Sequence, residues 1–148
     1  MSSTEFEGVR TLSVSVRYDD LGPEGHVNNV ASVRIVEEAR RAYLGRPVTL
    51  HSSTGGLLDS LPKNVRHMVR KQDFDYRREL WYQASPLLVD FWVSDIGTTS
   101  FRLRSSIRTC AAADPAVVAE TVIVLVGEQT RKPWPMPDEF RHRLRSFS

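Results

Sequence analysis

Residues 30 to 44 form the one long stretch whose apolar positions recur with a helical period; most of the rest alternates with a period of two. At 100° per residue Ala31, Ile35, Val36, Ala39, Ala42 and Tyr43 share a face, with Arg34, Glu37 and Arg41 opposite. Glu37 and Arg41 stand i, i+4 in the order that favours an ion pair. Asn28 or Asn29 supplies an N-cap, and Gly45 with Pro47 ends the helix near Leu44. A chain with a single long helix must bury that stripe against a sheet.

The sheet is legible on both sides of it. Val9 to Arg17 sends Leu12, Val14 and Val16 one way and Thr11, Ser13 and Ser15 the other, the pattern of a half-buried strand. Val65 to Tyr76 reads as a strand although it is unusually polar. Leu87 to Val93 is a second, closed by Asp95-Ile96-Gly97. Phe101, Leu103, Ser105 and Ile107 alternate with Arg102, Arg104, Ser106 and Arg108, which predicts a strand with one wet face. Val117 to Val126 is dense in β-branched residues and is placed at the centre of the sheet. Residues 51 to 61 read as a Ser- and Gly-rich loop, 111 to 115 as a turn, and Asp138 to about Ser146 as a short basic helix after Pro135 and Pro137. Strand, helix, then at least four strands excludes a doubly wound parallel sheet and predicts an antiparallel α+β fold. With 148 residues, no repeat and no linker, residues 1–148 make a single domain.

Charge and cysteine content bound the partners. Twenty Lys and Arg against 18 Asp and Glu leave a net charge of +2, scattered and too small to call for nucleic acid. The lone Cys110 permits no intrachain disulfide and fits a reducing, cytosolic compartment, and its place beside a strand predicts a packed structural thiol. The N-terminus reads as neither signal peptide nor anchor, and the longest apolar run, near Val122 to Val126, is far short of a membrane span. His26, His51, His67 and His142 are too dispersed for a local metal motif, so no metal is expected.

Chemistry concentrates between the first strand and the helix, in Gly22-Pro23-Glu24-Gly25-His26-Val27-Asn28-Asn29. Glu24 and His26 can exchange protons, Asn28 and Asn29 carry donors, and the helix N-terminus aims unpaired backbone N–H groups at one point. Such donors suit a developing oxyanion. The same residues also have structural uses: an Asn as cap, His26 bonded to backbone, Glu24 solvated in a loop.

The run from Val16 through Asn29, followed by Glu37-Glu38-Ala39-Arg40, resembles the opening of the 4-hydroxybenzoyl-CoA type of hot-dog thioesterase. Asp75-Tyr76, Gly97-Thr98-Thr99-Ser100-Phe101 and Thr130-Arg131-Lys132-Pro133 before Pro137 continue the likeness along nearly the whole chain. The resemblance implies a hot-dog fold, about five antiparallel strands around one long helix. It also implies a homodimer or homotetramer hydrolysing an acyl thioester, of coenzyme A or of acyl-carrier protein, at a subunit interface. No cofactor is implied beyond the coenzyme A of the substrate. Glu24, His26 and the backbone N–H of Asn29 become the candidate catalytic groups, with Gly25, Asn28, Ser100, Arg131 and Lys132 around the substrate. Members usually carry Asp two positions after the one matching Asp20; here Gly22 stands there, Glu24 is the nearest substitute, and Asp20 is the second candidate, although its place in the motif suggests a structural role. The same departure motivates a rival, a hot-dog module that binds acyl-CoA without hydrolysing it.

Overall fold

A computed structural model describes residues 8–45 and 56–148; Pro47, His51 and the first part of the Ser- and Gly-rich loop lie outside them. Five strands form one antiparallel sheet: β1 (Arg10–Val14), β2 (Val65–Tyr76), β3 (Leu87–Ile96), β4 (Ser100–Arg108) and β5 (Val117–Gly127). They lie in the order β1-β3-β4-β5-β2. The long helix α1 (Asn29–Leu44) packs on β1 and β3, and the short helix α2 (Asp138–Arg145) closes against β3. This is the expected α+β hot-dog architecture.

Inward residues alternate as the sequence predicts. Val89, Phe91 and Val93 of β3, Phe101, Leu103 and Ile107 of β4, and Ile123 and Leu125 of β5 are buried in one core with Ile35, Val36 and Ala39 of α1. Each large apolar side chain buried here contributes about 1.5–3 kcal/mol. Several details of the prediction are corrected. Ala42 of α1 is exposed, while Ser32 and Arg40 are buried. Arg40 lies 6% exposed and donates from Nη1 to Gln72 Oε1 at 2.8 Å; burial lowers its pKa from the ordinary guanidinium value. The middle strand is β4, with β5 one step towards the edge. Cys110 is exposed in the β4–β5 turn, because that turn projects beyond the core.

The wet face of β4 is wetter at one end than the other. Arg102 and Arg104 reach Glu120 on β5, whereas Ser106 and Arg108 converge on buried Asp90 of β3. Thr11 of β1 donates to the same carboxylate at 2.7 Å, so this cluster ties three strands together. Burial would raise the Asp90 pKa, but hydrogen bonds from Arg108, Thr11 and Ser106 hold it below the usual carboxylate range.

The polarity of β2 has a topological cause. It pairs with β5 on one side only, through Val65↔Gly127 to Tyr76↔Val117, with a register shift between Val69 and Lys71. As an edge strand it has no neighbouring strand on its other side among the described residues, and it exposes Met68, Val69 and Tyr76.

Candidate active site

The turn that enters α1 is built by short-range bonds. Arg17 precedes a 3-10 turn, Tyr18–Asp20, whose Asp20 is 4% exposed. The Asp20 carboxylate accepts from the Arg17 N–H at 2.7 Å and from Arg34 Nε and Nη2 at 3.0 and 2.6 Å, while its carbonyl accepts from Asn28 N–H at 2.9 Å. Asp20 therefore clamps the turn to α1, as its place in the motif suggests. Asp20→Ala strands the Arg34 guanidinium and loosens the turn. A loss of about 2–4 kcal/mol in unfolding free energy is expected, discounted because Arg34 is partly exposed. Chemical denaturation checks it; a change within experimental error removes the clamp from the account.

Beyond Asp20 the chain folds back on itself. Gly22 N–H donates to His26 O at 2.8 Å and Gly25 N–H to Gly22 O at 3.0 Å, with Gly25 at φ +85°, a conformation that only glycine adopts without strain. The β2–β3 connection then pins this turn from outside. Val27 N–H donates to Leu80 O at 2.6 Å, Tyr82 N–H to Gly25 O at 3.4 Å, and the Trp81 indole meets His26 edge-on with centroids 5.5 Å apart.

Asn28 is the N-cap, its Oδ1 accepting from Ala31 N–H at 2.7 Å. That settles the choice between Asn28 and Asn29 and commits the Asn28 side-chain acceptor to the helix. Gly25 is likewise committed, its N–H and its carbonyl both paired within the turn and its neighbour. The Asn29 N–H, in the first helical turn, has no intrahelical acceptor and engages none elsewhere among the described residues.

A cavity of about 240 Å³ opens at this helix N-terminus, with His26, Asn29, Ser32, Tyr76, Leu80 and Val117 among its walls. The Tyr76 hydroxyl donates to Asn29 O at 3.2 Å, bracing the wall from β2. His26 borders the cavity, but Glu24 does not line it. The Glu24 side chain is 79% exposed, with Oε2 3.3 Å from His26 Nε2. Donor, imidazole and carboxylate thus form a chain from cavity to solvent, able to move a proton and to hold an oxyanion.

The other candidate residues lie elsewhere. Ser100 pairs with Val124, seven residues along β5 from the Val117 wall, roughly 23 Å away within one chain. Lys132 O accepts from Gly127 N–H, further still along the same strand, with Arg131 beside it. Ser100 borders a second hollow of about 510 Å³ with Arg70, Lys71 and Arg102. Sequence reasoning pointed to Arg102 as a phosphate contact but missed Ser32, Leu80, Arg70 and Lys71. The i, i+3 spacing of Asn29 and Ser32 was the available signal for Ser32; nothing local signalled the others. Among the described residues no three His, Cys, Asp or Glu side chains are grouped to hold a metal ion, and no helix is long and apolar enough to cross a membrane.

Comparison with known proteins agrees with this architecture. A family model described as the thioesterase-like superfamily matches residues 16–144. No curated protein matches the sequence. Among solved structures, a thioesterase from Thermus thermophilus, complexed with coenzyme A and Zn, is 27% identical with TM-score 0.71, covering 97% of this chain and 96% of that one. The PA5185 protein of Pseudomonas aeruginosa is 21% identical, TM-score 0.73, over 93% and 90%. Slr0204 of Synechocystis, a 1,4-dihydroxy-2-naphthoyl-CoA thioesterase, is 18% identical, TM-score 0.70, over 93% and 96%.

Proposed function

The chain belongs to the thioesterase-like superfamily, a thiolester hydrolase family, and from that premise we propose that it hydrolyses acyl-CoA at a site shared by two copies. One observation carries the reading: the unpaired Asn29 N–H and the His26 imidazole border one cavity at the α1 N-terminus. In this mechanism water attacks the thioester carbonyl as His26 takes its proton. Asn29 N–H holds the oxyanion, and collapse expels the thiolate, which takes the proton back from the imidazolium. Glu24 is assigned the orienting role rather than direct attack, because its carboxylate stands outside the cavity and touches the imidazole. The non-hydrolytic alternative that Gly22 raised is not favoured, since His26 supplies a proton acceptor without that carboxylate. The lone cysteine supports a cytosolic location.

The second copy is part of the proposal. The exposed β2 edge, twelve residues with Met68, Val69 and Tyr76 uncovered, is a template for a further strand. Two-fold antiparallel pairing of two such edges brings the Tyr76 end of one copy against the Val65 end of the other. The catalytic cavity of one chain then faces the Ser100 end of its partner. There Arg70, Lys71 and Arg102 suit the coenzyme A phosphates, and Arg131 and Lys132 flank the same end.

Thiol release from short, long and aromatic acyl-CoAs tests the reaction; absence of release above background ends it. Subunit complementation tests the sharing. His26→Gln and Lys71→Glu/Arg102→Glu chains, each inactive alone, are expected to recover activity when mixed and refolded together. No recovery confines the site to one chain.

A further inference from the structure

The cavity carries a polar group that the mechanism does not use. Ser32 is 2% exposed, borders the cavity, and among the described residues its hydroxyl has no hydrogen-bond partner. Helical serine commonly bonds the carbonyl four residues back. Here Asn28 O accepts the Ser32 backbone N–H at 3.2 Å, but the hydroxyl does not join it. Its neighbours in the wall, Val27, Leu80 and Val117, are apolar. Of the other polar side chains at the cavity, four are engaged, Tyr76 with Asn29 O, His26 with Glu24, Arg77 with Asp75 and Arg78 with Asp114, while Asn29 and Glu79 are exposed. The Ser32 hydroxyl therefore stands at the cavity wall with its donor and acceptor capacity uncommitted.

We infer that Ser32 is a specificity contact, selecting acyl groups with a hydroxyl or carbonyl oxygen about two or three bonds beyond the thioester carbonyl. The spacing follows from the helix. Asn29 and Ser32 share a face, and three residues of rise put Ser32 about 4.5 Å further along it than the oxyanion donor. A substrate carbonyl held at Asn29 N–H sets its β or γ substituent beside the Ser32 hydroxyl, which can donate to it or accept from it. An unsubstituted chain leaves that hydroxyl unpaired, and this is the basis of discrimination.

The inference rests on the cavity being the acyl site, so its test reads binding without turnover. The ligands are CoA ketones, with S–CH2–CO–R in place of S–CO–R, where R is an alkyl chain with or without a hydroxyl β to the carbonyl. Calorimetry on the wild-type chain is expected to give roughly tenfold tighter binding of the hydroxylated ligand. Ser32→Ala is expected to lose that tenfold on the hydroxylated ligand and to bind the plain one within about twofold of wild type. Equal wild-type affinities, an equal loss on both ligands, or binding of neither overturns the assignment. The wild-type preference stands without the variant, should the variant fail to fold. Absence of hydrolysis alongside a ligand preference would remove the catalytic proposal and keep this one; hydrolysis without preference would do the reverse.

Discussion

His26→Gln is expected to lower kcat/KM for the best acyl-CoA substrate by about 10²- to 10³-fold, the usual scale of a lost general base. The effect belongs in kcat. Imidazole is assigned to proton transfer, and the cavity walls and the cations beside Ser100 are assigned to ligand binding. Glutamine fills similar space and keeps a hydrogen-bonding side chain beside Glu24, so the turn has no reason to rearrange. The backbone contacts of this segment, Gly22 N–H to His26 O and Val27 N–H to Leu80 O, are independent of the side chain. Glu24→Gln should cost less, about tenfold, because an exposed carboxylate 3.3 Å from the ring only orients it. Steady-state kinetics with calorimetric binding of a CoA ketone separates the two effects. Were His26→Gln to leave kcat within about twofold of wild type, the proton acceptor would have to be sought in another group.

Gly22→Asp is expected to move activity the other way, raising kcat/KM by about 10²-fold. The position tolerates a side chain. Its φ lies outside the left-handed region, and a Cβ built there comes no nearer to its surroundings than 3.7 Å, to His26 O, an ordinary contact. The two backbone bonds of Gly22 are unaffected by a substituent at Cα. A carboxylate would then occupy the place it holds in the family this chain resembles, on the same turn as His26 and beside the α1 N-terminus. Its expected effect is a gain of function on an intact fold, verified by an unchanged thermal midpoint within a few degrees. A folded variant with wild-type kinetics would show that this turn does not direct position 22 at the reacting carbon.

Much of the architecture was written in local pattern. Alternation in β1, β4 and β5 and the helical period from Ala31 to Tyr43 reflect which face of each element is buried. Burial imposes hydrophobic spacing directly on the residues concerned. The capped turn was legible for the same reason: Asp20, Gly25 and Asn28 act within a few residues of themselves or on the helix they precede. Val65–Tyr76 read as oddly polar because edge position depends on strand order, which no stretch of twelve residues contains.

What tertiary structure decided was which ends meet. Glu24, two residues from His26, turned outwards, while Ser32, Leu80 and Val117, distant in sequence, became walls of one cavity. Ser100, Arg131 and Lys132 fell at the opposite end of the sheet, roughly 23 Å along β5 from the Val117 wall within one chain. Side-chain period is local, because it comes from the geometry of a single helix or strand. Register and strand order are set by long-range pairing, and those alone fix the distances on which a site depends.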